Sequence, residues 1–108
     1  MATATAVITP GVCGQGTKVT ATHDDGTGVV TLTLHTECQA CRRLAETLHT
    51  VDGMQAAFTP PPQNPVYLAA AQARLHAACV VPAGIIKAVE IACGLALPAD
   101  VSIRLTKE

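Results

Sequence analysis

The chain has 108 residues, 49% hydrophobic and 14% charged, a balance that suits one modest core and lies far from the low-hydropathy, high-charge signature of disorder. Seven Lys and Arg against eight Asp and Glu give a formal net charge of -1, and with one Tyr, one Phe and no Trp there is neither a field that draws phosphate backbones nor an aromatic platform for bases, so nucleic acid is not expected as a partner. No apolar run approaches the roughly 18 to 20 residues of a membrane span, since residues 83–97 contain Lys87 and Glu90, and residues 1–8 lack the basic flank and long apolar stretch of a secretory leader, so a cytoplasmic protein is expected.

Residues 4–8 form the first candidate strand, closed by Thr9-Pro10-Gly11 because proline cannot donate to a ladder and glycine permits a turn. Val19 and Ala21, then Val30, Leu32 and Leu34, alternate with Lys18, Thr20 and Thr22 and with Thr31, Thr33 and His35, a period of two rich in β-branched residues. Between the runs, His23-Asp-Asp-Gly-Thr-Gly28 supplies the Asp-Gly pair and second glycine of a tight turn. A hairpin over residues 17–35 follows.

From Cys38 the period changes. Cys41, Leu44, Ala45 and Leu48 fall at i, i+3, i+4 and i+7, with Arg42, Arg43, Glu46 and Thr47 on other faces, which predicts an amphipathic helix capped by Thr36 or Glu37. Val51-Asp52-Gly53 would end it, and Asp52 would start a short second turn through Phe58. Thr59-Pro-Pro-Pro-Gln-Asn-Pro65 predicts a stiff polyproline spacer inside the domain, and Asn64-Pro65 an N-cap with proline at the first position of an alanine-rich helix reaching about His76. Pro82 opens a last helix whose stripe is Ile85, Ile86, Val89, Ala92 and Cys93, ending at Gly94. Val101, Ile103 and Leu105 then alternate with Ser102, Arg104 and Thr106, predicting a closing edge strand. No internal repeat is visible. The expected architecture is one α+β domain over residues 1–108: a small antiparallel sheet built on the hairpin, helices on one face, and a C-terminal edge strand.

Five cysteines, an odd number, argue against a disulfide framework and for thiols that pack, bind metal or react. Cys93 falls inside the apolar stripe of the last helix and reads as a packing residue. Cys38 and Cys41 form a C-x-x-C at the start of the first long helix, and Cys79 precedes the last one, so Cys38 and Cys79 stand where unpaired N–H groups lower a thiol pKa and favour an anionic cluster. Glycines flank Cys13 and would let backbone N–H groups approach the same centre. His35 and His76 each precede a cysteine by three residues and could add an imidazole, although an exposed or structural role suits either histidine as well. Short apolar thiols also suit crowded junctions between loops and helices, so packing remains open for the whole group.

The run Val12-Cys-Gly14, the hairpin with Asp24-Asp25-Gly26, Cys38 opening one helix, and His76-Ala-Ala-Cys79 before another that reads Gly84-Ile-Ile-Lys-Ala-Val-Glu90 resemble, in order, the iron-sulfur cluster scaffold family. The outline is similar too to the small cysteine-bearing domain at the C-terminus of some cobalamin-dependent ribonucleotide reductases and to small uncharacterised bacterial and archaeal proteins. The resemblance implies that Cys13, Cys38 and Cys79 converge to hold zinc or a nascent iron-sulfur cluster. It departs at Gln15, where the scaffold pattern has aspartate, at the C-terminal strand, and in lacking the partner-chaperone motif before the last cysteine, departures that weigh more against cluster transfer than against metal binding.

Three functions compete. The first is a non-enzymatic metal or iron-sulfur binding domain, with Cys13, Cys38 and Cys79 as ligands and Cys41, His76 or His35 completing the site. The second is a thiol redox protein with Cys38 as nucleophile and Cys41 as resolving thiol; strand, C-x-x-C and helix match thioredoxin locally, while the preceding hairpin replaces its βαβ unit. The third is a protein-interaction module with inert cysteines.

Overall fold

In the computed structural model, which describes residues 1–108, the chain runs β1 (Ala2–Ile8), β2 (Thr17–His23), β3 (Val29–Thr36), α1 (Gln39–Thr47), β4 (Thr50–Asp52), α2 (Gly53–Phe58), α3 (Pro65–Gln72) and α4 (Val81–Ala92). The strands form one antiparallel sheet in the order β1-β2-β3-β4. Class and central hairpin are as the alternating pattern predicts. No helix is long and apolar enough to cross a membrane.

Register follows from the period of two. Ala21 pairs with Ala4 and Leu32, and Val19 with Ala6 and Leu34, which puts the apolar row on one face. Thr22 pairs with Thr3 and Thr31, and Thr20 with Thr5 and Thr33, which puts six threonines on the other. A one-residue slip would bury the threonines and expose the apolar row. The hairpin closes through the Asp24 N–H on Val29 O at 2.9 Å and the Gly28 N–H on Asp24 O at 2.8 Å, with Gly28 at φ 76°.

The helices cover the apolar face, α4 across β1 and β2, α1 on β3. One core cluster of 17 buried residues results, including Val19, Val30, Leu44, Val66, Ile85 and Val89. Of the expected α4 stripe, Ile85, Val89 and Ala92 are buried while Ile86 is only half-buried at the flank. The helix stops where Gly94, at φ 73°, lets its own N–H reach Ile91 O and the Leu95 N–H reach Glu90 O.

Four expectations change. Residues 50–52, too few to show a period, pair with β3 as β4. The proline segment is bent, with a turn at residues 61–63 and a cis Pro61–Pro62 peptide, so it is no straight spacer. Helix α3 ends at Gln72, earlier than the alanine-rich run suggests. Most importantly, residues 95–108 form no strand: after α4 ends beside Gly53 they run exposed, paired with no strand.

Candidate functional site

The site lies at the sheet end where β1 finishes, β2 starts and β3 runs into α1. Alternation turns Thr17 and Thr36 inward, in phase with Val19 and Leu34, and their hydroxyls are 2.8 Å apart. The Thr36 hydroxyl also accepts the Cys38 N–H at 3.1 Å, fixing the turn from strand into helix. Cys38 is therefore the N-cap of α1, in extended conformation, and neither Thr36 nor Glu37 is. Arg42 and Arg43 brace the helix: Arg42 Nε donates to Thr36 O at 3.0 Å, and Arg43 Nε to Ala73 O at 2.9 Å, tying α1 to the end of α3.

Cys38 and Cys41, one helical turn apart, differ sharply in surroundings. Cys38 is half-exposed, and its sulfur makes no cap hydrogen bond of ordinary geometry. The Cys41 N–H is nonetheless close enough to lower its pKa, against the opposing effect of partial burial; the Cys41 thiol, the Ala40 N–H and the Arg43 guanidinium lower it further. Cys41 is 1% exposed. Burial pushes its pKa up to about 12, and the adjacent Cys38 and Cys79 sulfurs add to the rise while the Thr17 hydroxyl opposes it. One sulfur is thus disposed to be a thiolate and its neighbour to keep its proton.

Cys79, half-buried before α4, packs against the same core cluster as Cys38, within electrostatic reach of Cys41. The fold accordingly sets Cys38 against Cys41, with Cys79 near enough to act on Cys41 through its charge. Cys13 lies in the β1–β2 loop, where Gly11 and Gly14 have positive φ and the Gly14 N–H bonds Gly11 O; those glycines serve a turn, and the thiol is exposed. His76 is exposed, its carbonyl accepting the Cys79 N–H, and His35 is exposed on the outer sheet face. Cys93 sits by Gly53 at the opposite end of the sheet, its pKa raised by burial and then by Asp52. No three His, Cys, Asp or Glu side chains form a group that could hold a metal ion, so the trio the resemblance implies, Cys13, Cys38 and Cys79, does not stand as a ligand set in this arrangement.

Thr17, Thr36 and Arg43 belong to the site although the cysteine pattern does not point to them. For the two threonines a signal existed, because each continues the apolar row of its strand. An open groove of about 750 Å³ runs alongside, lined by Lys18, His35 and Arg42 as well as Thr17, Thr36 and Glu37.

No curated protein and no solved structure matches the chain significantly. Residues 4–105 do match one family model, and on that match the chain belongs to DUF6951, a family of unknown function.

Proposed function

We propose that the chain is a small cytoplasmic thiol redox protein in which Cys38 is the attacking thiolate and Cys41 the resolving thiol. The supporting observation is the asymmetry of the pair: a half-exposed sulfur at the start of α1, with N–H groups and Arg43 near it, beside a buried sulfur that holds its proton. The Cys38 thiolate attacks one sulfur of a partner disulfide, forming a mixed disulfide and releasing the other partner sulfur as thiolate. Cys41 then gives its proton to solvent or to that thiolate and attacks the Cys38 sulfur. The mixed disulfide breaks, and the Cys38–Cys41 disulfide forms. The partner leaves reduced by two electrons, and a dithiol reductant must restore the pair.

A Cys13→Ser background removes the exposed bystander. In it, Cys41→Ser is expected to trap a mixed disulfide on Cys38 with a small disulfide such as oxidised glutathione, whereas chains with both thiols pass on to the internal disulfide. Equally slow reaction of Cys38 and Cys41, with no internal disulfide at any partner concentration, rejects the reading.

A second reading is a metal or iron-sulfur domain on Cys38, Cys41 and Cys79, and it requires the three thiols to move together, because they form no metal-holding group as they stand. Metal analysis and a visible spectrum of protein purified without oxygen decide between them.

A further inference from the structure

Two parts of the fold are each missing a partner. The first is the free edge of β1. Ala2–Ile8 has β2 on one side only, is seven residues long, and contains no charge and no proline. Such an edge shows a row of unpaired N–H and C=O groups, and proteins usually blunt it with lysine, proline, a bulge or brevity. Here none of these is present. The second is residues 101–105, where Val101, Ile103 and Leu105 alternate with Ser102 and Arg104 but nothing pairs with them. Val101 is 58%, Ile103 68% and Leu105 87% exposed.

The two are complementary. A fifth strand beside β1 would continue both faces of the sheet: Val101, Ile103 and Leu105 beside Ala4, Ala6 and Ile8 under the helical layer, Ser102, Arg104 and Thr106 beside the outer threonines. Residues 4–105 are matched by the family model, so both parts lie inside the family's domain.

Within one molecule they stand apart. Helix α4 begins against Ile8, on β1, and ends at Cys93 against Gly53, on the β4 side. The segment leaves the end of α4 and pairs with no strand of its own molecule. It stays fully exposed and lengthens the molecule to 49 Å against 28 and 24 Å in the other directions.

We propose that residues 101–105 of one copy add as a fifth strand to the β1 edge of a second copy, and that reciprocal exchange closes a two-fold dimer. Exchange supplies what each chain lacks, and both edges are used once, so the assembly stops at two.

Sedimentation equilibrium of the full chain is expected to give twice the mass of one chain. The double variant Ile103→Asp/Leu105→Asp is expected to sediment as a monomer that keeps the helical circular dichroism signal and the cooperative unfolding of wild type, because no residue of the buried core cluster lies beyond Ala92. In a mixture of labelled and unlabelled protein, isotope-filtered NOEs are expected between Ile103 of one copy and Ala4 or Ala6 of the other. A wild-type monomer at millimolar concentration overturns the proposal. So does a variant that remains dimeric, or Ile103 contacts found only within one copy, which would mean that the segment folds back on its own β1.

Discussion

Gly53 and Cys93 are packed so tightly that a Cβ on Gly53 would stand 2.6 Å from Cys93 Sγ and 3.2 Å from Gly28 O. This contact joins the start of α2, the end of α4 and the hairpin turn. Gly53→Ala is expected to cost about 1 to 3 kcal/mol by overpacking, even though alanine favours a helix. In the Gly53→Ala/Cys93→Ala double variant the sulfur is gone but the Gly28 carbonyl remains, so the loss should be smaller than the sum of the two single losses. Denaturant midpoints of the four proteins measure the coupling, and strict additivity would show that the two residues do not share the space.

Cys41 should make the protein alkali-sensitive. Its folded pKa is raised to about 12, above the ordinary thiol value of 9.0, so on raising the pH past about 9 the unfolded chain loses this proton while the folded chain keeps it. Stability is then expected to fall between pH 9 and 12, by at most about 1.4 kcal/mol per pH unit from this group. Cys38 acts with the opposite sign at lower pH: its lowered pKa contributes stability that appears as the pH rises through the folded value. Urea titrations of wild type and Cys41→Ala at pH 8, 9 and 10 test the Cys41 effect, and the variant should lose the decline above pH 9. An identical decline in the variant would assign it to other groups.

Helix α3 ends where its sequence gives no stop signal. Arg74 takes the left-handed conformation, φ 60°, so that its N–H reaches Ala71 O and the Leu75 N–H reaches Ala70 O, an arrangement usually made by glycine. Arg74→Gly is expected to raise stability by about 0.5 to 1 kcal/mol, the relief of left-handed strain outweighing the greater freedom of the unfolded chain. A lowered thermal midpoint would show that the Arg74 side chain holds more than its backbone costs.

Arg74 illustrates which parts of the fold were legible in the sequence. Where a period ran over seven or more residues with a burial consequence, as in β2, β3, α1 and α4, residue type alone located the element, and the Asp52 and Asn64 caps were equally plain. A three-residue strand and a helix stop made by a non-glycine residue depend on what packs around them. The alternation at Val101, Ile103 and Leu105 is no strand in the structure, because a period of two makes a strand only where an edge pairs with it. At the site, Cys38, Cys41 and Cys79 were visible as cysteines at helix starts, but which of the five approach one another depends on how far each loop carries its thiol from the core, and Cys13 sits on a turn that faces water.

Asn64 is the polar residue on which the bent proline segment depends. It is 2% exposed, and every side-chain hydrogen-bonding direction found in use points at backbone: Nδ2 donates to Ala56 O and to Thr59 O, each at 2.8 Å, and Oδ1 accepts the Val66 N–H at 2.9 Å. One side chain thus closes the end of α2 and opens α3. Asn64→Ala removes all three bonds and leaves buried backbone groups unpaired, for an expected cost of about 2 to 4 kcal/mol. Asn64→Asp is the sharper test. It keeps the acceptor for Val66 but sets a carboxylate against the carbonyls of Ala56 and Thr59, which can accept only from a protonated oxygen. The aspartate's pKa in the folded state should therefore lie above that of an unfolded aspartate. The folded state then holds a proton that the unfolded chain releases, so the variant should lose stability relative to wild type as pH rises from 4 to 7. Thermal midpoints of the two proteins across that range give the measurement, and a constant difference between them would show that the carboxylate finds solvent instead.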